Sequence, residues 1–281
     1  LINRSIDFWM LGGASIVFWL ACHLIDLMGG FYSTTRIYSV AIPAMFSFFA
    51  LVVNFPHFMA SYHLAYSRGS AFVVHNWFQL IVVPVLLIAL VLAGDLMFFF
   101  PTDGWKEFGD SINLILQPLG IFLVIGAFES FGSEMLHHLI TVMYLTVGWH
   151  YTKQVYGCFM VYSRFDNYTL DSRERLLIKA SLLSIWGYLF FTNNGGMSAQ
   201  TLLSAGYITH VFPTGLSVLF KWLAPALYLF TAYFIFHRRW KLDGTLPPLP
   251  AVAAWLAMFI WWMPFGASAL FLIAVPFFHS L

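Results

Sequence analysis

Charge is what this chain has least of: Asp, Glu, Lys and Arg make up 9% of its 281 residues, against roughly a quarter in a soluble domain. That shortage excludes an ordinary water-soluble fold. The remaining charges balance to +1 with no basic tract, so nucleic acid is not expected as a partner and polybasic lipid recognition has no support. Cysteine is nearly absent as well. Cys22 and Cys158 lie in separate apolar runs without a Cys-x-x-Cys pair or the Cys/His spacing of a zinc module, which argues against a structural disulfide or a zinc finger. No Gly-x-Ser-x-Gly, Ser/Lys arrangement or phosphate loop occurs, which sets serine hydrolysis aside. Neither an internal repeat nor an inverted symmetry of the transporter kind is visible.

Apolar residues fill the space that charge leaves. They amount to 60% of the chain, with 31 phenylalanines, and they form long continuous runs rather than the alternating segments of about ten residues that build a membrane barrel. Helices are then the elements that satisfy the backbone in lipid. Runs long enough for a hydrocarbon core, which needs about 20 helical residues, are Phe8–Met28, Ile37–Tyr66, Phe72–Phe100 and Ile112–Phe128, followed by Glu134–Tyr162, Leu176–Thr192, Leu216–Phe236 and Ala251–Phe278. The expected fold class is all-α: a polytopic membrane bundle of about eight transmembrane helices, one domain over residues 1–281. Met197–Pro213 is too short and polar to span and suits a re-entrant or interfacial helix. The chain opens on leucine and stops after an apolar run, so trimmed ends are expected. Basic residues gather at Arg164–Lys179 and His237–Lys241, but Arg68 conflicts with the orientation they favour, which leaves orientation open.

Histidine carries the chemical content. Imidazole is costly in hydrocarbon without a partner, yet the span count directs His57, His63, His75, His137, His138, His210 and His279 toward one membrane face. His150 is expected apart from them, about 18 Å deeper at 1.5 Å per residue. Glu134 precedes His137 by three residues and His138 by four, spacings that share a helix face. A Glu-x-x-His pair is also how helix bundles offer a carboxylate and an imidazole to iron. His57 and His63 are six residues apart, which turns them about 120° from one another on a regular helix. Candidate metal ligands are therefore His57, His63, Glu134, His137, His138, His150 and His279.

Past Trp149 the chain turns polar, with His150, Lys153 and Gln154 on one helical face and Tyr156 a turn beyond Lys153. A lysine so far from the ends of its span needs a counter-charge, an aqueous cavity or a snorkelling route. Lys153 and Tyr156 are accordingly the candidate catalytic residues, in a polar pocket below the histidines. Haem fits less well. His137 and His138 stand about 140° and 120° from His150 around the helix, which disfavours two bis-histidine haems but leaves a single haem open.

The reading that follows is a membrane metalloprotein holding non-haem iron, with copper or zinc as other occupants. It acts as an oxidoreductase or oxygenase on a lipophilic small-molecule substrate. The HxxxH and HxxHH boxes of membrane desaturases and alkane hydroxylases are absent. Two other readings stay open: a non-catalytic subunit that meets lipid and partner membrane subunits, and a haem or quinone electron-transfer anchor.

Overall fold

The computed structural model describes residues 3–25, 45, 48–49, 52–53, 55–99, 104, 107, 111, 114, 131–193, 214–262 and 277–279. Every named element among them is helical. In chain order they are α1 (Arg4–Phe8), a π-helical turn (Trp9–Gly13), α2 (Ala14–Ile25), α3 (Phe55–Tyr66), α4 (Ser70–His75), a second π turn (Phe78–Val82), α5 (Val83–Phe99), α6 (Phe131–Phe165), α7 (Ser172–Asn193), α8 (Thr214–Thr231), a third π segment (Ala232–His237), α9 (Arg238–Asp243) and α10 (Leu249–Trp262).

Three helical stretches are long and apolar enough to cross a membrane: Arg4–Leu24, Phe78–Leu96 and Gly215–Asp243, of 21, 19 and 29 residues. The protein is a multi-pass integral membrane protein. The expectation of about eight spanning helices is thereby corrected, since three qualify among the described residues. A run of apolar residues does not by itself make one long apolar helix. Within the described residues α3 runs to 12 residues and α10 to 14, fewer than the roughly 20 that a hydrocarbon core requires; residues 54 and 263–276, which adjoin them, lie outside the described residues. α6 is 35 residues long, but Glu134, His137 and His138 lie near its start and His150, Lys153 and Gln154 interrupt its middle. α7 opens with Arg173, Glu174, Arg175 and Lys179, which uses its first two turns for charge. The run Ile112–Phe128, apart from Leu114, and the expected re-entrant helix Met197–Pro213 lie outside the described residues.

The chain divides into two compact units. The first comprises Leu1–His63, Trp149–Leu189 and Leu219–Leu281. Its amino end is set by Asn3, whose side-chain oxygen accepts from the Ser5 amide at 2.8 Å and caps α1. The π turn after α1 then packs on α10. At that crossing a Cβ on Gly12 would stand 2.5 Å from the Ala253 carbonyl oxygen, so only glycine lets the two backbones approach.

Behind this contact, Phe159, Ile178, Leu182 and Ile185 are fully buried. The Trp255 indole donates to the Ser181 hydroxyl at 3.0 Å, and the Tyr228 ring stacks on Trp255 at 4.3 Å between centroids. α7 begins with a capping box: the Glu174 amide donates to Asp171 Oδ1 (2.8 Å) and the Asp171 amide to Glu174 Oε2 (2.9 Å). The Tyr168 hydroxyl, on the turn before it, donates to the Ile235 carbonyl, which lies in the third π segment.

The second unit comprises Leu64–Gly148 and Phe190–Val218. Its described core is the π turn followed by α5, and the Tyr66 hydroxyl donates to the Leu80 carbonyl within that turn. Val85, Leu86, Ile88, Leu92 and Leu96 all face outward. In water that surface would be a liability; in lipid it is the helix's natural environment.

Candidate metal centre

Three histidines from three separate segments of the first unit meet. His57 stands in the first turn of α3, His150 at the middle of α6, and His279 in the helical turn at residues 277–279. One ring nitrogen from each lies within 4.8 Å of the others. The rings are arranged edge-to-face, His57 to His279 at 5.6 Å and His150 to His279 at 5.4 Å between centroids. His57 and His279 are half-buried and His150 is exposed.

Local sequence explains how each ring is held. Pro56 sits in the first turn of α3, where a missing amide hydrogen leaves no helical bond unmade. One turn on, Ser61 donates to the His57 carbonyl at 3.1 Å. His279 is seated by its neighbours: Phe278 packs against Phe18 and Trp261, and Phe277 against Phe49. Its own ring stacks on Tyr151 at 3.8 Å, with 29° between the planes.

The electrostatics favour a neutral imidazole at His279. His279 lies outside the three spanning helices, and burial, then the neighbouring His150 and His57, bring its pKa down to about 3. A neutral ring keeps a lone pair for a metal. Its Nε2 is buried with no hydrogen-bond partner among the described residues, a state that calls for a ligand. Donor atoms about 2.0–2.1 Å from one ion sit roughly 3.4 Å apart in a tetrahedral site, so modest side-chain rotation closes the cluster. The donor set fits a transition metal: the protein carries a three-histidine cluster able to coordinate one.

The other sequence candidates are distributed differently. His63, two turns beyond His57 on α3, is exposed and outside the cluster. Glu134, His137 and His138 fall within α6, but their side chains lie outside the described residues, as does all of His210. Lys153 is exposed, with its ammonium 5.0 Å from the centre of the Trp149 ring; Tyr156 is half-buried. His150 is not set apart at depth. The span count placed all helix ends on common planes, whereas α6 is a single helix that brings its midpoint to the start of α3. His23 is satisfied locally, donating from Nδ1 to the Trp19 carbonyl at 3.1 Å.

A cavity of about 210 Å³ opens beside His57 and His279. Neither Lys153 nor Tyr156 lines it; Tyr151, Gln154, Val155 and Cys158 do, from α6. Tyr151, Val155 and Cys158 recur at i, i+4 and i+7, which is one helical face, and that spacing is the signal in the sequence that marks them. Cys158 and Cys22 are free thiols. Comparison with known proteins found no matching protein family, no matching curated protein and no matching solved structure.

Proposed function

We propose that the protein is a non-haem iron oxidoreductase of the membrane, acting on a lipophilic substrate at the His57–His150–His279 centre. The observation that carries this reading is the meeting of three imidazoles beside an apolar cavity in a multi-pass membrane protein. Three protein ligands with an adjoining open space are the mark of catalytic rather than structural metal sites, which close all four positions. Imidazole sets accept iron, copper and zinc. Iron is our choice among them for its chemistry with dioxygen.

Bound iron would supply the activation of dioxygen. In an oxygenation one oxygen atom enters a substrate C–H bond as a hydroxyl, and an external electron donor delivers two electrons that, with two protons, reduce the other oxygen atom to water. The chain's own residues would bind and orient. His57, His150 and His279 hold the ion, the stacked Tyr151 fixes the His279 ring, and Met258 and Trp261 keep water from the cavity. Lys153 and Tyr156, within two turns of His150 on α6, are our candidates for proton delivery.

Metal analysis and an absorbance spectrum on one purified sample test the reading. About one equivalent of iron per chain and no Soret band are expected. Iron, copper and zinc together below about a tenth of an equivalent would end it, and a Soret band would replace it with a haem protein.

A further inference from the structure

Two short basic segments, far apart in sequence, meet at one end of the first unit. Arg164–Lys179 and Arg238–Asp243 together hold seven of the chain's 13 lysines and arginines against four carboxylates. Arg239 joins them, donating to the Thr169 carbonyl at 2.6 Å and reaching Glu174 at 3.5 Å. Their surplus of three exceeds the +1 of the whole chain, so positive charge is concentrated here. The carboxylates of this end are already engaged. Asp166 pairs with Arg4, Asp171 and Glu174 close the capping box of α7, and Asp243 stands 3.9 Å from Arg239. Arg238 and Lys241 are different: three residues apart and so on one face of α9, they are exposed and make no ion pair among the described residues.

What surrounds these two cations is apolar. α9 closes Gly215–Asp243, one of the stretches able to cross a membrane. Phe234 and Leu242, four residues before and after Arg238, border one hollow with it and are exposed. Phe230, also exposed, packs on Phe234 at 4.2 Å between centroids and carries the apolar strip toward the middle of the span. The exposed Trp240 ring stands 5.1 Å from the Lys241 ammonium, an amphipathic ring of the kind that sits at headgroup level. Unpaired cations beside exposed apolar rings match a molecule that is anionic at one end and hydrocarbon at the other. An excess of Lys and Arg at helix ends also marks the side of a membrane whose leaflet is anionic. We propose that this end of α9 binds an anionic phospholipid, its phosphate between Arg238 and Lys241 and an acyl chain along Phe234 and Phe230. The surplus of positive charge repels the ammonium of a zwitterionic headgroup and so selects a net anionic one. Arg239 is spent on the α6–α7 turn and takes no part, and the site is independent of the histidine centre.

Lipid competition on the full chain tests it. Purified protein in detergent is offered equal amounts of phosphatidylglycerol and phosphatidylcholine with identical chains, and the retained lipid is counted by native mass spectrometry. Preferential retention of phosphatidylglycerol is expected. Arg238→Gln and Lys241→Gln should each weaken its binding about fivefold, the worth of one basic residue near an anionic surface, whereas Arg68→Gln in the second unit should change nothing. An unchanged thermal melt checks that these exposed substitutions leave the fold intact. Raising the salt to about 1 M, where the screening length falls to about 3 Å, should weaken the preference in the unchanged chain. Equal retention of the two lipids by the unchanged chain would overturn the proposal without recourse to any variant. So would a preference that persists when both cations are replaced. Glycerophosphoglycerol, the same headgroup without chains, should compete poorly; displacement as effective as by the whole lipid would overturn the proposal in favour of a soluble anionic partner.

Discussion

Two hollows in the first unit of the protein differ in how their polar groups are satisfied. The one near the α6–α7 turn, of about 470 Å³, is rimmed by Thr169, Asp171, Glu174, Arg239 and Asp243. Arg239 donates to the Thr169 carbonyl at 2.6 Å, reaches Glu174 at 3.5 Å and lies over the Tyr168 ring at 4.4 Å. Glu174 in turn closes the capping box of α7. Beside the other hollow, His279 Nε2 and Gln154 Oε1 are buried without hydrogen-bond partners among the described residues. A satisfied polar network holds a turn in place. Unsatisfied groups beside a cavity await something that is not part of the chain. The larger and more polar hollow is therefore the structural one, and the smaller apolar one the candidate for chemistry.

The sharpest way to break that contrast is to remove a histidine. His57→Ala, His150→Ala and His279→Ala should each lower bound metal by at least the roughly 10–100-fold that loss of an outer partner of a ligand costs, whereas His63→Ala should leave metal content unchanged. Elemental analysis of the four purified variants decides, and equal loss in His63→Ala would dissolve the assignment of three ligands. The next largest effect falls where the first π turn crosses α10, beside the same hollow. Gly12→Val puts a side chain into the Ala253 carbonyl, where even a Cβ would stand at 2.5 Å. Overpacking of this kind costs about 1–3 kcal/mol. A lowered unfolding midpoint in detergent is the expected result, and an unchanged midpoint would mean that the first π turn and α10 separate without cost.

Part of this architecture was legible in the sequence and part was not. Low charge and long apolar runs marked a helical membrane protein, because the bilayer imposes that composition directly. The number of spans was less legible, because apolar runs such as Glu134–Tyr162 and Leu176–Thr192 lie on helices interrupted by polar residues, His150 and Lys153 on α6 and Arg173, Glu174 and Lys179 on α7. Helical angles relate residues on one helix and nothing else. They separate His57 from His63, but they are silent on His57, His150 and His279, which come from α3, α6 and the turn at 277–279. Lys153 is a conspicuous charge within an apolar stretch, while Tyr151, Gln154, Val155 and Cys158 are the α6 residues on the cavity wall. Which residues line a cavity depends on neighbours distant in sequence, so composition could not rank them.

The satisfied hollow should respond to mutation in the opposite sense. Arg239→Ala removes a charge-assisted bond to Thr169 and the stacking on Tyr168, together about 1–3 kcal/mol of stability, with metal content unaffected. A thermal melt paired with elemental analysis reads both quantities at once. Loss of metal together with stability would show that the two hollows are coupled, and the division between a structural and a chemical hollow would fail.

Ser181→Ala gives the smallest effect and the finest test. Ser181 is fully buried on α7, donates to the Ile178 carbonyl at 2.8 Å and accepts from the Trp255 indole at 3.0 Å. Its removal leaves the indole N–H of α10 buried with no acceptor, a loss of about 1 kcal/mol. The same helix carries Ala254, Ala257 and Met258 along the wall of the apolar hollow. If α10 is a rigid wall, the variant should melt slightly earlier and keep its metal. If α10 instead rotates once Trp255 is released, metal content falls as well, because Trp261 of the same helix packs on Phe278 beside His279. Measuring both on the same sample therefore tells whether the metal centre depends on the packed core behind it.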